Sequence, residues 1–548
     1  MQKNPKIVAF DTETDGLDII DAKPFLFVLY DGTDFLTTRN PEDVREILEN
    51  PKIPKIMHNA KFDTHMMRNV GIKIQGRIYC TMLAAHLLDE NKSSSLEAVA
   101  KRYLNEEKQS DAVSDWFISQ GITNKDDKKY NLVPDNIIVP YAEMDTKLTF
   151  DLLKAFFEML RQENLLGVYK QECDLIDVVI DMERRGMRID LDYFENLFFD
   201  SQNKMIDIKE KIYNVVGYAF DIESGKQLAT IFKSFGIELP KTPKGNDRTS
   251  KDIVEEIDHE LAKLILEYRH LQKLSVTYAK SYLDKNKDGI IHSNFLQNGT
   301  VTGRCSCTNP NLQNIPKKDK TIRTGFIPRP GYVNVHIDYK QMEYRVFADY
   351  ANAQNLIDDI NAGKDFHQVV ADTVGIDRDR AKTLNFGLLY GMGFNKMAKS
   401  LNLPPMDAQR VRQNYFKAFP MAKSLMNEVK AASERRGYIF NKFGRRRRLT
   451  SDKGYKAVNA LVQGCCADVI KKAMIDVHKF IQNKDINLLM QIHDELFIEC
   501  KKNQLHYIQD IIDIMQNFDY LFKVKLEVDC EMSTKNWANK EKFSIDGI

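Results

Sequence analysis

Two apolar runs, LLMQI and LFIEC, flank His493, Asp494 and Glu495 in the stretch NLLMQIHDELFIEC, Asn487 to Cys500. Short runs rich in Leu, Ile, Met and Phe suit strands buried on both faces, and their closeness in sequence predicts that they pair. No Gly or Pro explains the reversal between them, and two adjacent carboxylates stand where burial makes charge costly. A polar hairpin tip accounts for the stretch. So does a carboxylate held on a rigid pair of strands for a metal ion, and the rest of the chain has to decide between the two.

At 548 residues the chain is long for one domain, and roughly two to four are expected. Its 43% hydrophobic and 29% charged residues suit folded, water-soluble domains with sizeable cores. A formal net charge of +1 excludes nothing about partners, because local patches cancel in the sum. The eight cysteines include one C-x-C (Cys305, Cys307) and one adjacent pair (Cys465, Cys466), but no C-x-x-C. That spacing encodes neither a zinc site nor a disulfide framework and fits the reduced thiols of a cytosol. The apolar run near the N-terminus is too short for the core of a signal peptide. No stretch reaches the roughly 18 apolar residues of a membrane span. A cytoplasmic, membrane-free protein is expected.

Up to about residue 164, strand-like runs (KIVAF, PFLFVLY) mix with helical patterns (SLEAVAKRYL), which predicts an α/β domain. Helical periodicity then runs to about residue 283, interrupted by LPKTPKGNDRTS, a Pro/Gly/Lys-rich exposed loop. Strands and helices alternate irregularly thereafter, with a helical block between about Ala351 and Gly437.

Three acidic motifs lie in the first domain. IVAFDTETDG places Asp11 and Glu13 two apart at the end of a strand, so both side chains point to one face, where they repel unless a cation lies between them. HNAKFDTHM supplies Asp63. PYAEMDTKL opens a helix with Pro140 in its first turn and sets Tyr141 and Asp145 four apart on one helical face. In this order the motifs resemble those of the DEDD-type 3′–5′ exonucleases with Tyr in the last motif, which have an RNase H-like α/β fold. The resemblance implies that Asp11, Glu13, Asp63 and Asp145 hold two divalent metals and that Tyr141 positions the attacking water.

In RDRAKTLNFGLLYGMG, residues Arg378, Lys382, Phe386 and Tyr390 recur every fourth position and form one slowly winding helical stripe. Two cations followed by two aromatic rings suit phosphates followed by a base or sugar better than simple packing. This stretch resembles the fingers helix of the family A DNA polymerases. GTVTGRCSCTNPNLQNIP, HIDYKQMEYR, VNALVQGCCADVIKKAM and QIHDELFIE resemble other motifs of that family, in the family's order.

The resemblance implies an α+β right-hand polymerase domain after the exonuclease domain. The expected boundaries are 1–164 for the exonuclease and 165–548 for the polymerase. Within the latter the thumb takes about 165–297, the palm about 298–350 and 451–548, and the fingers about 351–450. Asp338 and Asp494 are the implied ligands of two Mg2+, with Mn2+ able to substitute, and Glu495 is a supporting carboxylate. Arg378, Lys382 and His367 are implied to contact the triphosphate. Phe386 is placed near the sugar, Tyr390 beside the nascent base pair, and Glu343 as the steric gate against a ribose 2′-hydroxyl. Arg304, Asn459 and Gln463 would probe the minor groove, with His493 near the primer terminus.

Primer–template DNA and dNTPs are the implied partners of a monomer in the cytoplasm of a bacterial or phage-infected cell. An accessory processivity factor is left open. No 5′-nuclease domain is expected. Between Arg435 and Arg448 seven basic residues occur with no acidic one, and beside these motifs they are expected to meet DNA phosphates. KKDKTIR, Lys317 to Arg323, is a second such stretch.

Lys340, Met342 and Tyr344 stand where the family has Ser, Ile and Leu, and Cys305 and Cys307 interrupt its small polar residues. No ligand is lost. A nuclease whose C-terminal part only grips nucleic acid, or a noncatalytic scaffold, would have no use for a second carboxylate set. Glu343 argues against an RNA polymerase.

Overall fold

The computed structural model describes residues 5–106, 110–124 and 127–543. The N-terminal sheet comprises β1 (Val8–Thr14), β2 (Pro24–Tyr30), β3 (Phe35–Thr38), β4 (Lys55–Met57) and β5 (Ile78–Cys80) in the order β3-β2-β1-β4-β5. β1 runs antiparallel to β2 and parallel to β4. The pleat explains the run PFLFVLY: Phe27 and Leu29 enter one core cluster, while Leu26 and Val28 enter another on the opposite face.

Helix α1 (Ala60–Asn69) follows β4, and the long α2 (Asp135–Gln162) packs back on β1 and β2. α2 begins a turn earlier than PYAEMDTKL suggested. Pro134 occupies its N-cap and Asp135 complements the start of the helix, so Pro140 is an interior proline that deletes one backbone hydrogen bond. α3 (Leu166–Arg185) belongs to two cores at once: Val168, Ile176 and Ile180 pack with the N-terminal sheet, and Leu175, Val179 and Met182 with the C-terminal one.

α4 (Leu191–Val216) and α5 (Glu260–Gln272) frame a separate small core around Ile212, Phe232 and Ile265. The helical periodicity after His259 continues past α5, but Lys273–Lys280 is wound as a π-helix.

The C-terminal sheet is built from β6 (Tyr332–Tyr339), β7 (Ile486–Ile492), β8 (Glu495–Lys501), β9 (Val528–Ser533) and β10 (Glu541–Lys542), ordered β7-β8-β6-β9-β10 and antiparallel throughout. Between β6 and β7 lie α6 (Met342–Tyr350), α7 (Phe366–Val374), α8 (Arg378–Leu389) and α9 (Pro420–Arg436), and then α10 (Ala457–Ile481), largely buried beside the sheet. No helix among the described residues is long and apolar enough to cross a membrane.

The basic run after α9 is largely engaged within the chain. Residues 438–440 and 446–448 form a hairpin whose arginines reach back to acids of the N-terminal half. Arg445 is buried against Glu172 and Asp468. Arg446 pairs with Glu163 at 2.8 Å, Arg447 with Glu90 at 2.7 Å, and Arg448 with Glu90 at 2.9 Å and Glu163 at 2.6 Å. Lys442 is tied to Asp349. Five of the seven basic residues therefore join parts of this chain, and only Arg435 and Arg436 stand exposed. Local sequence missed this because the partners Glu90, Glu163 and Glu172 lie in the first third of the chain.

Candidate active sites

Asp11 and Glu13 lie on β1, Asp63 in α1, and Tyr141 and Asp145 on α2. Between the two β1 acids, Thr12 donates from its backbone N at 3.2 Å and its hydroxyl at 3.0 Å to Asp63 Oδ1. Asp63 is only 3% exposed, and burial pushes its carboxyl up to about 7 against the pull of Thr12. Burial raises the Tyr141 hydroxyl far above its ordinary range, and the charges of Asp145, Glu13 and Asp11 add to that effect. Asp63 is thus tied to β1 through Thr12, and Tyr141 lies within electrostatic reach of Asp145, Glu13 and Asp11, although these residues come from three elements.

The hairpin anticipated at Asn487–Cys500 is β7–β8. His493 and Asp494 form its two-residue tip, and His493 adopts φ +54°, the left-handed value that a reversal of this length needs and that Gly usually supplies. On β6, Asp338 is directly opposite Glu495, and Tyr339 N donates to Asp494 O at 3.2 Å. The tip acids and Asp338 are thus brought together by strand register. Burial, with repulsion from Glu495 and Asp494, pushes Asp338 up to about 6. Asp494 also rises to about 6, because burial outweighs Arg304 nearby and Glu343 adds to it.

Glu495 behaves oppositely. Burial alone would raise it, but His336 Nδ1 at 2.7 Å and Lys540 Nζ at 3.2 Å hold it at about 2. Its carboxylate is committed to these partners and is better described as positioning β6 and the C-terminal segment than as a spare metal ligand.

The neighbouring expected residues form one chain of contacts. Arg304 Nη2 reaches Glu343 Oε1 at 2.5 Å, Tyr390 donates to Glu343 Oε2 at 3.0 Å, and Gln463 donates to the Tyr390 hydroxyl at 3.1 Å. The Nδ2 of Asn459, one turn earlier on α10, is buried without a hydrogen-bond partner among the described residues. Arg378 and Lys382 lie on the exposed side of α8, but Arg378 is engaged by Asp365 at 2.8 Å. Phe386 follows on the same side, and Tyr390 caps the helix. His367 is buried in α7, with its Nδ1 3.1 Å from Asn385 Nδ2.

The sequence reading gave no role to His336, Asp365, Asn385 or Lys540, and it read Lys317 as a DNA contact without its proximity to Asp338. His336 was findable, since it lies two residues before Asp338 and so on the same strand face. Lys540 gave no local signal. Lys317 Nζ stands 3.9 Å from Asp338 Oδ2.

Both carboxylate sets offer hard oxygen donors of the kind Mg2+ takes. Each contains acids burdened by burial and like charge, which a cation would relieve. Among the described residues no group of three or more His, Cys, Asp or Glu is arranged to hold an ion. Substrate oxygens and water would have to complete the coordination, as is usual for Mg2+ at phosphate chemistry.

Residues 191–539 match the model of DNA polymerase family A, and residues 1–161 match that of a 3'-5' exonuclease. The chain belongs to DNA polymerase family A. This family A chain is 32% identical over 534 residues to DNA polymerase I of Chloroflexus aurantiacus, covering 90% of the chain and 56% of that protein. It is 30% identical over 510 residues to DNA polymerase I of Geobacillus stearothermophilus, covering 87% and 57% respectively. The chain therefore spans less than two thirds of these curated relatives. Among solved structures, the POL domain of Pol1 from M. smegmatis, in complex with DNA primer-template and dNTP, superposes with a TM-score of 0.85 at 27% identity, covering 97% of this chain and 95% of that one. The fold is accordingly an α/β exonuclease domain followed by a family A right-hand polymerase domain.

Proposed function

We propose that this chain is a template-directed DNA polymerase that extends a primer 3′ end with deoxynucleotides and proofreads through a separate 3′–5′ exonuclease centre. The observation that carries the reading is the juxtaposition of Asp338 on β6 with Asp494 at the β7–β8 tip, joined through the Tyr339–Asp494 backbone bond of 3.2 Å. The M. smegmatis relative, solved with primer-template and dNTP, supports the choice of DNA and dNTPs as partners.

In this reading the palm is the β6–β10 sheet with α10, the thumb is the unit around α4 and α5, and the fingers run from Ala351 to α9. Asp338 and Asp494 would hold the Mg2+ of the polymerase centre, and Asp11, Glu13, Asp63 and Asp145 that of the exonuclease centre. Bound Mg2+ would make the attacking oxygen a better nucleophile and neutralise charge on the phosphoryl and leaving groups.

The protein's own groups do the rest. Lys382 and Arg378, the latter on leaving Asp365, neutralise the triphosphate. His367, kept neutral because burial lowers it to about 4, donates a hydrogen bond to the same phosphates. Phe386 packs on the sugar. Glu343, held by Arg304 and Tyr390, fills the space a 2′-hydroxyl would need. Gln463 and Asn459 on α10 and Arg304 reach the minor groove of the newest base pairs, and His493 the primer end. At the other centre Tyr141 orients a water toward the terminal phosphodiester. The bacterial DNA polymerase I relatives support a cytoplasmic setting for this work.

The test is a labelled primer–template with Mg2+. With four dNTPs the primer should lengthen. Without them it should shorten from its 3′ end, faster when that end is mispaired. A chain that binds the duplex but does neither would overturn the reading.

A further inference from the structure

Tyr344 stands beside the nucleotide site without belonging to it. β6 ends at Tyr339, Gln341 turns the chain at φ +47°, and α6 then delivers Tyr344, six residues after Asp338, into the base of the fingers. The side chain is 4% exposed. Its ring stacks on Phe366 at 4.9 Å and 20°. It presents edge-to-face contacts to His367 at 4.7 Å and to Phe386 at 5.1 Å. His367 lies on α7 and Phe386 on α8, and their own rings are 6.2 Å apart. Tyr344 therefore touches both side chains that the reading above sets against the triphosphate and the sugar.

Two details show that the ring, and not the hydroxyl, does this. The Tyr344 hydroxyl is buried with no hydrogen-bond partner among the described residues, an arrangement that costs stability. His367 is also pinned from its other side, where its Nδ1 lies 3.1 Å from the Asn385 side-chain amide. A ring fixed by Asn385 on one edge and Tyr344 on its face has little rotational freedom, and Phe386 is braced by the same wedge.

We propose that Tyr344 is a positioning residue for the incoming nucleotide, its ring setting the spacing between His367 and Phe386 so that phosphate and sugar are met together. A flexible or smaller side chain would leave those groups in place but mobile, and part of the nucleotide's binding energy would go to ordering them.

This rests on the polymerase reading, and the full chain with Mg2+ tests it by single-nucleotide incorporation. Tyr344→Leu is expected to raise KM for dNTP about tenfold with kcat changed by less than about twofold. Tyr344→Phe should match the unaltered chain in both. Tyr344→Met, whose unbranched and adaptable side chain refills a core gap better than Leu, should shift KM in the same direction as Y344L and decides the matter if Y344L misfolds. Primer–template affinity and exonuclease rate serve as controls and should not move. Unchanged KM in Y344L and Y344M, or a defect in Y344F equal to theirs, overturns the proposal alone. Failure of the unaltered chain to extend a primer overturns both readings.

Discussion

Asp338 and Glu495 face each other across adjacent antiparallel strands, yet their carboxyl groups sit in opposite electrostatic situations. Asp338 is pushed up to about 6, while Glu495 is held at about 2 by His336 and Lys540. Removing each should therefore do different damage. Asp338→Asn should abolish primer extension and leave the melting temperature unchanged or higher, since a burdened charge is gone. Glu495→Gln should lower stability by about 2 kcal/mol, because buried His336 and the partly buried Lys540 ammonium lose a charged hydrogen-bond partner. Extension rates and thermal melts of the two variants check this; equal loss of stability would count against it.

The two carboxylate sets are gathered around two separate sheets, so the activities should separate. Asp494→Ala is expected to remove extension and spare 3′ excision, and Asp11→Ala to do the reverse. Gel assays with and without dNTPs read both. If either substitution eliminates both activities, the two centres are not independent.

Arg447 and Arg448 hold Glu90 at 2.7 and 2.9 Å. Replacing both arginines by Ala should leave DNA affinity and its salt dependence unchanged but destabilise the chain by about 3 kcal/mol, because Glu90 is stranded in a buried site. Lys317→Ala, at an exposed cation near Asp338, should instead lower the slope of log K against log salt by about one. Binding isotherms at several salt concentrations distinguish the two behaviours.

Glu172 is buried. Burial by itself would raise its carboxyl, but Lys471 and Arg445 hold it at about 2. Its folded pKa lies below the ordinary glutamate value of 4.5, so its contribution to stability is complete above that value and is lost as pH falls toward 2. Glu172→Gln should cost roughly 3–5 kcal/mol at pH 7. The difference from the unaltered chain should shrink in urea melts as pH drops through that window, and a gap that stays constant with pH would contradict the assignment.

Glu343 accepts from Arg304 and Tyr390 and is nearly buried. Glu343→Ala should ease ribonucleotide incorporation, measured as the ratio of kcat/KM for dNTP to that for the matching ribonucleotide. A ratio equal to that of the unaltered chain would remove Glu343 from the gate.

Much of this molecule is written locally. The alternating and continuous apolar runs mark β1, β2, β7 and β8 because strand periodicity is a property of neighbouring residues. The acids at Asp11, Glu13, Asp338 and Asp494 fall at strand ends or turns that these runs delimit, so the order of motifs was enough to propose two centres and a family. The start of α2 lies a turn before the one read from Pro140, because Pro140 is an acceptable first-turn residue and only the structure shows the helix starting from Pro134 at its N-cap.

What neighbouring residues could not reveal were partners distant along the chain. The run Arg445–Arg448 reads identically whether it meets phosphates or carboxylates. Only the folded arrangement, which brings Glu90, Glu163 and Glu172 from the first third of the chain against that hairpin, assigns it to internal ion pairs. Likewise the sequence placed Asp338 on a strand and Glu495 at the junction between two apolar runs, while the fold put Glu495 on β8 opposite Asp338, and the arrival of Lys540 decided which carboxylate stays burdened and which is neutralised. Local free energies select the elements; long-range contacts, formed only when the chain closes on itself, select the charges.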